Sequence, residues 1–452
     1  MELDRGRLDA LLERETASFA AAHPRSRELY DRARRSLVGG VPMPWMMRWA
    51  GGFPVFAREA SGARVIDVDG HEYVDLCLGD TGAMPGHGPP AAVRAATTQL
   101  TRGITTMLPT EDAAFVGEEL SRRFGMARWM FTLTATDANR TALRVARQIT
   151  GRPYILVFSY CYHGSVDESF AVADGRGGTR SREGNVGAPV DPAQTTRAVE
   201  FNDLEGLEAA LADGRVAAVL AEPAMTNMGI VLPDEGYHDA LRELTGNSGT
   251  LLIIDETHTF SAGPGGCTAA WGLEPDLLTI GKAIGSGVPS GALGFSQRVY
   301  EAMLADSEAD YEDTGGVGGT LAGNALSLAA MRATLEDVLT DAAFEHTIPL
   351  ARRFCEGLEG VFAARGIDWH VTQLGCRAEY RFDPVPPRDG TSAHLSSDPE
   401  LERYLHLYTL NRGVLITPFH NMALMSPATT EADVDRHTEV FDAAVAELLG
   451  TG

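Results

Sequence analysis

The chain has 452 residues, of which 44% are hydrophobic, and its formal net charge at pH 7 is −24. This length and hydrophobic content allow a large buried core divided between one large and one smaller domain. The negative charge argues against nucleic acid and anionic membranes as partners, because both require basic patches.

Cysteine usage and the N-terminal sequence both favour a cytoplasmic location. The N-terminus, MELDRGRLDALLERE, is charged throughout and is unlike a signal peptide. No run of 18 apolar residues occurs, so we expect no transmembrane helix. The five cysteines show no CxxC or metal-ligand spacing, so we expect no metal site and free, mostly buried thiols at Cys77, Cys161, Cys267, Cys355 and Cys376.

The chain opens with polar, Arg/Glu-rich sequence. Two helices are predicted over residues 3–20 and 25–37, separated at Pro24. The next segment, GGVPMPWMMRW at 39–49, is too rich in glycine, proline and large apolar residues for a regular element. It forms either a loop packed into a core or the lining of a pocket.

A β-hairpin and a first phosphate-site candidate follow. The hairpin, with an Asp-Gly turn, is predicted over 64–76, and a turn at His87 opens a helix over 91–102. His87 is interpreted as a turn residue rather than a catalyst. A strand at 129–132 then leads through the turn LTATDAN to a helix predicted over 140–150.

That hydroxyl-rich turn has the features of a phosphate cradle. Free backbone N–H groups, the helix dipole and two hydroxyls would point at one anion. Taken alone, the turn is explained equally simply as a Thr/Asp helix N-cap.

Short apolar runs with polar residues at their ends predict buried strands at 154–158, 216–220, 251–254 and 277–280. The last two runs lead directly into Asp255 and into Gly281-Lys282. Ligands of open α/β sheets bind at the carboxyl ends of strands, so a carboxylate and an amine at two neighbouring strand ends are expected to face one crevice.

Lys282 is the only lysine among the 38 basic residues. Arginine cannot replace lysine in forming a Schiff base with an aldehyde. An aspartate such as Asp255 keeps a pyridine nitrogen protonated, so the pair suits pyridoxal phosphate. Two simpler explanations stay open: a lysine retained by chance on the surface, and a plain Asp–Lys ion pair at the end of the sheet.

Four motifs around this lysine resemble class III pyridoxal-phosphate aminotransferases, and within them the glutamate-1-semialdehyde aminomutase branch: DE at 255–256, LEPDLL at 273–278, GK at 281–282 and GVP at 287–289. The resemblance extends from about residue 36 to the C-terminus. It implies an α/β protein of fold type I, with a mostly parallel central sheet flanked by helices in the large domain and a smaller α+β domain from both termini. The implied boundaries are 1–37 for an N-terminal helical segment, 38–85 and 341–452 for the small domain, and 86–340 for the large cofactor-binding domain.

The resemblance also assigns roles to single residues. Lys282 and Asp255 are the catalytic pair, Tyr162 stacks on the cofactor ring beside His163, and Glu222 lies near the ring. Ala135 replaces the family's usual glycine and Thr257 its usual valine. The remaining implied cofactor contacts are phosphate-binding positions: Thr134, Ala135 and Thr136 in one subunit, and Thr320 reaching the phosphate of the other subunit in a homodimer.

The region that would contact substrate departs from the aminomutases. Met46 falls where they have a carboxylate-binding arginine, and Trp45 and Met46 give an apolar, adaptable lining suited to a bulky hydrophobic amine. Arg48, after a shift of the alignment by two, and Arg377 are the alternative carboxylate ligands.

The sequence therefore favours an aminotransferase that moves an amino group between an amine or (β-)amino acid and a carbonyl acceptor, through a Lys282 Schiff base and ping-pong half-reactions. The alternatives are glutamate-1-semialdehyde 2,1-aminomutase and, from another class, a non-catalytic pyridoxal-phosphate-binding protein. Residues 171–197, Gly-rich and charged, are either a mobile lid or disordered. His258 is a minor candidate for acid–base work, because released Lys282 already moves the proton.

Overall fold

The computed structural model describes residues 3–187, 190–312 and 315–451. The chain divides into two compact units, one made of Met1–Pro89, Ala342–Pro386 and Ser396–Gly452, the other of Pro90–Asp341 and Pro387–Leu395. The predicted small domain included all of 341–452, whereas the structure groups 387–395 with the second unit. Arg388 pairs there with Asp234, and Ala393 is part of a buried apolar cluster.

The strands are β1 (Ala57–Ser61), β2 (Arg64–Asp67), β3 (Glu72–Asp75), β4 (Arg128–Thr132), β5 (Tyr154–Phe158), β6 (Ala171–Ala173), β7 (Thr179–Ser181), β8 (Thr196–Val199), β9 (Val216–Ala221), β10 (Leu251–Asp255), β11 (Leu277–Ile280), β12 (Gly291–Phe295), β13 (His370–Leu374), β14 (Arg377–Arg381), β15 (Val414–Leu415) and β16 (Met422–Leu424).

The α-helices are α1 (Arg5–Ala22), α2 (Pro24–Ala33), α3 (Pro90–Leu100), α4 (Glu111–Phe124), α5 (Ala135–Thr150), α6 (Leu204–Leu211), α7 (Tyr237–Ser248), α8 (Gly266–Trp271), α9 (Gln297–Ala305), α10 (Ala325–Ala333), α11 (Asp341–Arg365), α12 (Gly390–Leu395), α13 (Pro399–Leu410) and α14 (Glu431–Leu449).

The second unit is built on a seven-stranded sheet of order β4-β12-β11-β10-β9-β5-β8. Pairing is parallel from β8 to β11, and β12 runs antiparallel to both of its neighbours. Every residue of β9, β10 and β11 is buried. Uninterrupted apolar strands of this kind need cover on both faces of the sheet, and the predicted mostly parallel α/β sheet is confirmed.

Successive residues of the central strands contribute to two different apolar clusters. Ile155 and Val157 of β5 belong to the cluster that contains residues of α5, while Leu156 and Phe158 belong to the cluster that contains residues of α7. This alternation follows from the two-residue period of a strand. The core of the unit therefore consists of two helix-covered layers, one on each face of the sheet.

The first unit holds a four-stranded sheet, β1-β2-β3-β15, and a three-stranded sheet, β13-β14-β16. The predicted hairpin is present as β2 and β3. Pro24 does not lie outside a helix but is the first residue of α2, a position where its missing N–H costs nothing. His87 Nε2 lies 2.7 Å from Asp75 Oδ2, and its interpretation as a turn residue stays a prediction.

The segment predicted as a lid, 171–197, contains more regular structure than its composition indicated. Strands β6 and β7 form a two-stranded antiparallel sheet, and its last two residues already belong to β8 of the central sheet. Residues 188 and 189 of the segment lie outside the described residues. Its gating role stays a prediction.

Two predictions from composition can be compared directly with the fold. All five cysteines are buried and free. Among the residues that the structure describes, no helix combines the length and the apolar character needed to cross a membrane.

Candidate active site

Lys282 lies two residues after the end of β11, the strand next to β10, which ends in Asp255. The two strands pair in parallel, with Asp255 opposite Thr279. Lys282 has φ 49°, a left-handed conformation that few non-glycine residues adopt. A sharp turn of the main chain thus follows the strand at the one lysine of the protein, and backbone strain of this kind is commonly concentrated at functional sites.

The Asp255 side chain is buried and held on both of its oxygens. Its Oδ2 accepts hydrogen bonds from His163 Nδ1 at 2.9 Å and from Asn139 Nδ2 at 2.8 Å. Its Oδ1 accepts the Thr257 backbone N–H at 3.0 Å. Three donors on one buried carboxylate fix its orientation and favour its ionised form.

The hydrogen bond between Asp255 and His163 shifts the pKa of both groups. Burial acts to raise the pKa of Asp255, but the hydrogen bond and charge of His163, with the Thr257 and Asn139 donors, lower it to about 2. Burial acts to lower the pKa of His163, but the Cys161 sulfur and Asp255 hold it well above its ordinary value. These contacts therefore favour the ionised form of Asp255 at neutral pH.

Asn139 is a residue of this site for which no role was predicted. It lies on the buried face of α5, donates to Asp255, and accepts from Thr279 Oγ1 at 2.7 Å. Its amide thus joins β10 and β11 beneath the strand ends. Nothing in the local sequence distinguishes it from an ordinary helix residue, since its partners are distant along the chain.

The predicted phosphate turn is the first turn of α5. The helix begins at Ala135 and not at Arg140 as predicted, because Thr134 acts as its N-cap, accepting from the Asp137 N–H at 3.2 Å. Ala135 is a helical residue without positive φ, so alanine in place of the family's glycine is accommodated without strain. The cap leaves further N–H groups of the first turn available to an anion.

Glycines bring two other loops against this helix end. A Cβ on Gly281 would lie 2.9 Å from the Ala135 nitrogen, and a Cβ on Gly164 would overlap the Thr136 side chain. The Ser165 N–H donates to Thr136 Oγ1 at 3.3 Å. The segment before Lys282, the turn after His163 and the helix N-terminus therefore meet at one place.

The other residues predicted to bind the cofactor lie in the same unit. Tyr162 is 40% exposed, next to the buried His163. Glu222 is buried at the end of β9, where Thr226 Oγ1 donates to its Oε2. Thr257 is buried, and its side chain adds to the hydrogen bonding that lowers the pKa of Asp255.

Thr320 is exposed within the Gly-rich turn that precedes α10.

The four residues predicted to contact substrate belong to the first unit. Trp45 and Arg48 both lie near Phe419, with a ring-centroid distance of 6.1 Å for the tryptophan and 5.6 Å from the guanidinium carbon to the ring for the arginine. Met46 is half-buried in the same short 3₁₀ segment.

Arg377, the other predicted carboxylate ligand, has no exposed surface. Its Nη1 lies 3.4 Å from Thr81 Oγ1, and its Nη2 lies 3.9 Å from Asp80 Oδ1. Its guanidinium is therefore engaged inside the first unit.

His258 contacts the central amine. Its Nε2 lies 2.7 Å from Lys282 Nζ, and both side chains are half-buried. The sequence indicated a histidine three residues after Asp255 but gave it only a minor role.

Together these groups supply an amine, a buried anion and an anion-binding helix end. A phosphorylated aromatic aldehyde with a basic ring nitrogen needs those three partners. The donor set therefore fits pyridoxal phosphate.

Comparison with known proteins also indicates a pyridoxal-phosphate enzyme. The family model described as aminotransferase class-III matches residues 45–445. A structure of a glutamate-1-semialdehyde-aminomutase from Pseudomonas aeruginosa is 49% identical, covers 99% of this chain and 100% of that chain, and superposes with a TM-score of 0.96. A second structure under that name is a complex with PMP.

Two further relatives illustrate the range of activities. An omega-transaminase from Sphaerobacter thermophilus is 28% identical over 94% of this chain and 98% of that chain, with a TM-score of 0.86. A glutamate-1-semialdehyde 2,1-aminomutase of Chloroflexus aggregans is 33% identical over 442 residues, covering 94% of this chain and 98% of the relative.

Proposed function

Because the chain belongs to the class-III aminotransferase family, we propose that it is a pyridoxal-phosphate-dependent aminotransferase. It moves an amino group from an amine or β-amino acid to a carbonyl acceptor in two half-reactions. The observation that carries this proposal is the position of the sole lysine, Lys282, beside the end of the strand that bears the buried, ionised Asp255.

Pyridoxal phosphate supplies an aldehyde and an electron-withdrawing ring when bound. The N-terminus of α5, with Thr134 and Thr136, holds the phosphate. Asp255 holds a proton on the ring nitrogen, and its own orientation is maintained by His163 and Asn139. Lys282 Nζ is the attachment atom. As a free amine, Lys282 would remove the proton from the donor carbon.

Side chains of the first unit bear on the nature of the amino donor. The short 3₁₀ segment Pro44–Arg48 offers Trp45 and Met46, apolar side chains, where the aminomutases are expected to have a carboxylate-binding arginine. Arg48 lies over the Phe419 ring, and Arg377 is buried against Thr81 and Asp80. The apolar Trp45 and Met46 favour an amine without an α-carboxylate, since neither side chain can form the paired hydrogen bonds by which an arginine binds one.

Glutamate-1-semialdehyde 2,1-aminomutase is the second candidate. The 49% identical Pseudomonas aeruginosa structure and the Chloroflexus aggregans relative both carry that name. The small-molecule substrate would then be the semialdehyde, and both half-reactions would run on one molecule.

The assembly proposed is a homodimer. Thr320 is exposed in a Gly-rich turn of its own subunit, which is compatible with a hydroxyl that reaches the phosphate held by a second copy. The physiological location proposed is the cytoplasm.

The test is the visible absorbance of the protein with pyridoxal phosphate, before and after adding 1-phenylethylamine, β-phenylalanine, alanine and glutamate 1-semialdehyde. The proposal predicts a band of lysine-bound cofactor that bleaches with the aromatic amine. Bleaching only with the semialdehyde would instead establish the aminomutase. A band that no amine changes would indicate a non-catalytic binder.

A further inference from the structure

His258 and Lys282 form a hydrogen-bonded pair in which Nε2 and Nζ are 2.7 Å apart. The proposed function uses the lysine but assigns nothing to the imidazole. We propose that His258 is a second acid–base residue of the reaction: its Nε2 accepts the proton of the Lys282 ammonium and so returns the lysine to its reactive, uncharged form. This inference rests on the proposed function, because it concerns the same reaction.

A lysine that acts more than once in a reaction needs a neighbouring group that takes up its proton. A primary amine of the lysine type is protonated in neutral water, and an ammonium group neither attacks a carbonyl carbon nor removes a proton from carbon. Histidine is the side chain whose ordinary pKa lies nearest neutrality. The step moves one proton from Nζ to Nε2, breaks no other bond, and is reversed when the lysine next has to donate a proton.

Hydrogen bonds of the main chain hold the backbone of His258 in place on both sides. Upstream, the Glu256 N–H donates to the Thr279 carbonyl at 2.8 Å, and the Thr257 N–H donates to Asp255. Downstream, the Phe260 N–H donates to the Glu256 carbonyl at 2.8 Å. His258 therefore projects from a turn anchored to β10 and β11.

Lys282 is presented by the neighbouring strand. It follows β11, which pairs in parallel with β10, and its φ of 49° sets the direction in which the chain leaves the strand. Both residues of the pair are thus placed by the same two hydrogen-bonded strands. Rigid strand ends give the precise geometry that proton transfer requires.

The first experiment compares full-length, cofactor-loaded wild type with His258→Ala and His258→Gln. The donor half-reaction with 1-phenylethylamine is followed by rapid-mixing absorbance, using the normal donor and the donor deuterated at its amine-bearing carbon. Both variants are expected to be slower by about 10²- to 10⁴-fold, with a smaller isotope effect, because the slowed step breaks no bond to the labelled carbon. Added imidazole is expected to restore at least about tenfold in the alanine variant, which leaves a space for it.

The His258→Gln variant distinguishes proton transfer by residue 258 from positioning of Lys282 by a hydrogen bond. Its amide can hydrogen-bond to Lys282 but cannot take up the proton. If His258→Gln reacts as fast as wild type, or if imidazole has no effect on His258→Ala, the imidazole only positions the lysine and the inference is wrong.

A second readout does not depend on any donor. The full chain freed of cofactor is mixed with saturating pyridoxal phosphate, and the attachment to Lys282 is trapped with borohydride at intervals and counted by mass spectrometry. The inference predicts at least about tenfold slower attachment in both variants. Equal attachment rates would overturn it. A wild type that attaches cofactor but reacts with no donor would instead refute the proposed function alone.

Discussion

Gly281 and Ala135 are in contact: a Cβ on the glycine would lie 2.9 Å from the Ala135 backbone nitrogen and 3.0 Å from its Cβ. The residue before the sole lysine therefore touches the first residue of the helix whose N-terminus we assign to the phosphate. The attachment point and the anion site are coupled through this contact. Any side chain at position 281 must push the two apart.

Gly281→Ala is accordingly expected to weaken cofactor binding at least about tenfold and to lower the thermal midpoint, since overpacking against backbone costs about 1–3 kcal/mol. The matched control is Gly117→Ala, because a Cβ there meets nothing within 4 Å and position 117 lies inside α4. It should bind cofactor normally and melt no earlier than wild type. Titration with pyridoxal phosphate and a melting curve measure both effects. Wild-type affinity in Gly281→Ala would contradict the coupling.

Asp255→Asn removes the buried charge but keeps the shape of the side chain. The donor half-reaction is expected to slow by about 10²- to 10³-fold, because the ring nitrogen loses the anion that keeps it protonated. Glu256→Gln is the adjacent control. Glu256 is also buried, but Thr259, Thr268 and the Cys267 N–H surround its carboxylate, and burial raises its pKa. Single-turnover kinetics should separate a chemical effect at 255 from a stability effect at 256.

Asn139→Ala deletes a buried amide that serves Asp255 and Thr279 at once. Asp255 keeps its bonds to His163 and Thr257 but loses one donor, and the buried Thr279 hydroxyl loses its acceptor, which should cost about 1–3 kcal/mol of stability and weaken cofactor binding. Asn247→Ala, at an exposed position near the end of α7, is the control. Melting curves with and without cofactor give the comparison. Identical curves for the two variants would show that the network does not support the site.

His437→Leu tests the acid sensitivity of the first unit. His437 is fully buried, neither ring nitrogen has a hydrogen-bond partner among the described residues, and burial with the charge of His406 lowers its pKa to about 3. Burial likewise lowers the pKa of His406 to about 4. Such groups bind protons only when unfolded between those values and about 6.5, so folding stability is full above pH 6.5 and is lost as pH falls.

Each buried histidine should cost about 1.4 kcal/mol of unfolding free energy per pH unit in that window. The leucine variant removes one contribution, so its stability should fall less steeply between pH 6.5 and pH 4.5. Urea unfolding at three pH values measures the slope. Equal slopes of unfolding free energy against pH in wild type and variant would contradict the lowered pKa of His437.

Much of the sheet was predictable from local sequence. The apolar runs that became β10 and β11 are short, uninterrupted and end in Asp255 and Gly281-Lys282, so burial and the position of the polar ends were both evident. Their parallel pairing then places the two ends at one edge. The same local reasoning placed the start of α5 too late, because it took Thr134, Ala135 and Thr136 for a turn and not for a cap and a first helical turn.

The contacts around those ends were not predictable in the same way. Asn139 and Asp255 are 116 positions apart, and His258 and Lys282 are 24 apart. Their contacts arise only when strands and α5 pack in three dimensions, and periodicity carries no information about them. The return of 387–395 to the second unit has the same cause, since its anchors are a charge pair with Asp234 and the burial of Ala393.

The most direct test of the central claim uses the fact that Lys282 has no competing lysine. Holoenzyme is reduced with borohydride before and after exposure to 1-phenylethylamine, digested, and the peptide containing Lys282 is analysed by mass spectrometry. An aminotransferase predicts a pyridoxyl group on Lys282 before the donor and its loss after the donor, because the amine releases the lysine. Label elsewhere, or label that no donor removes, would contradict the account.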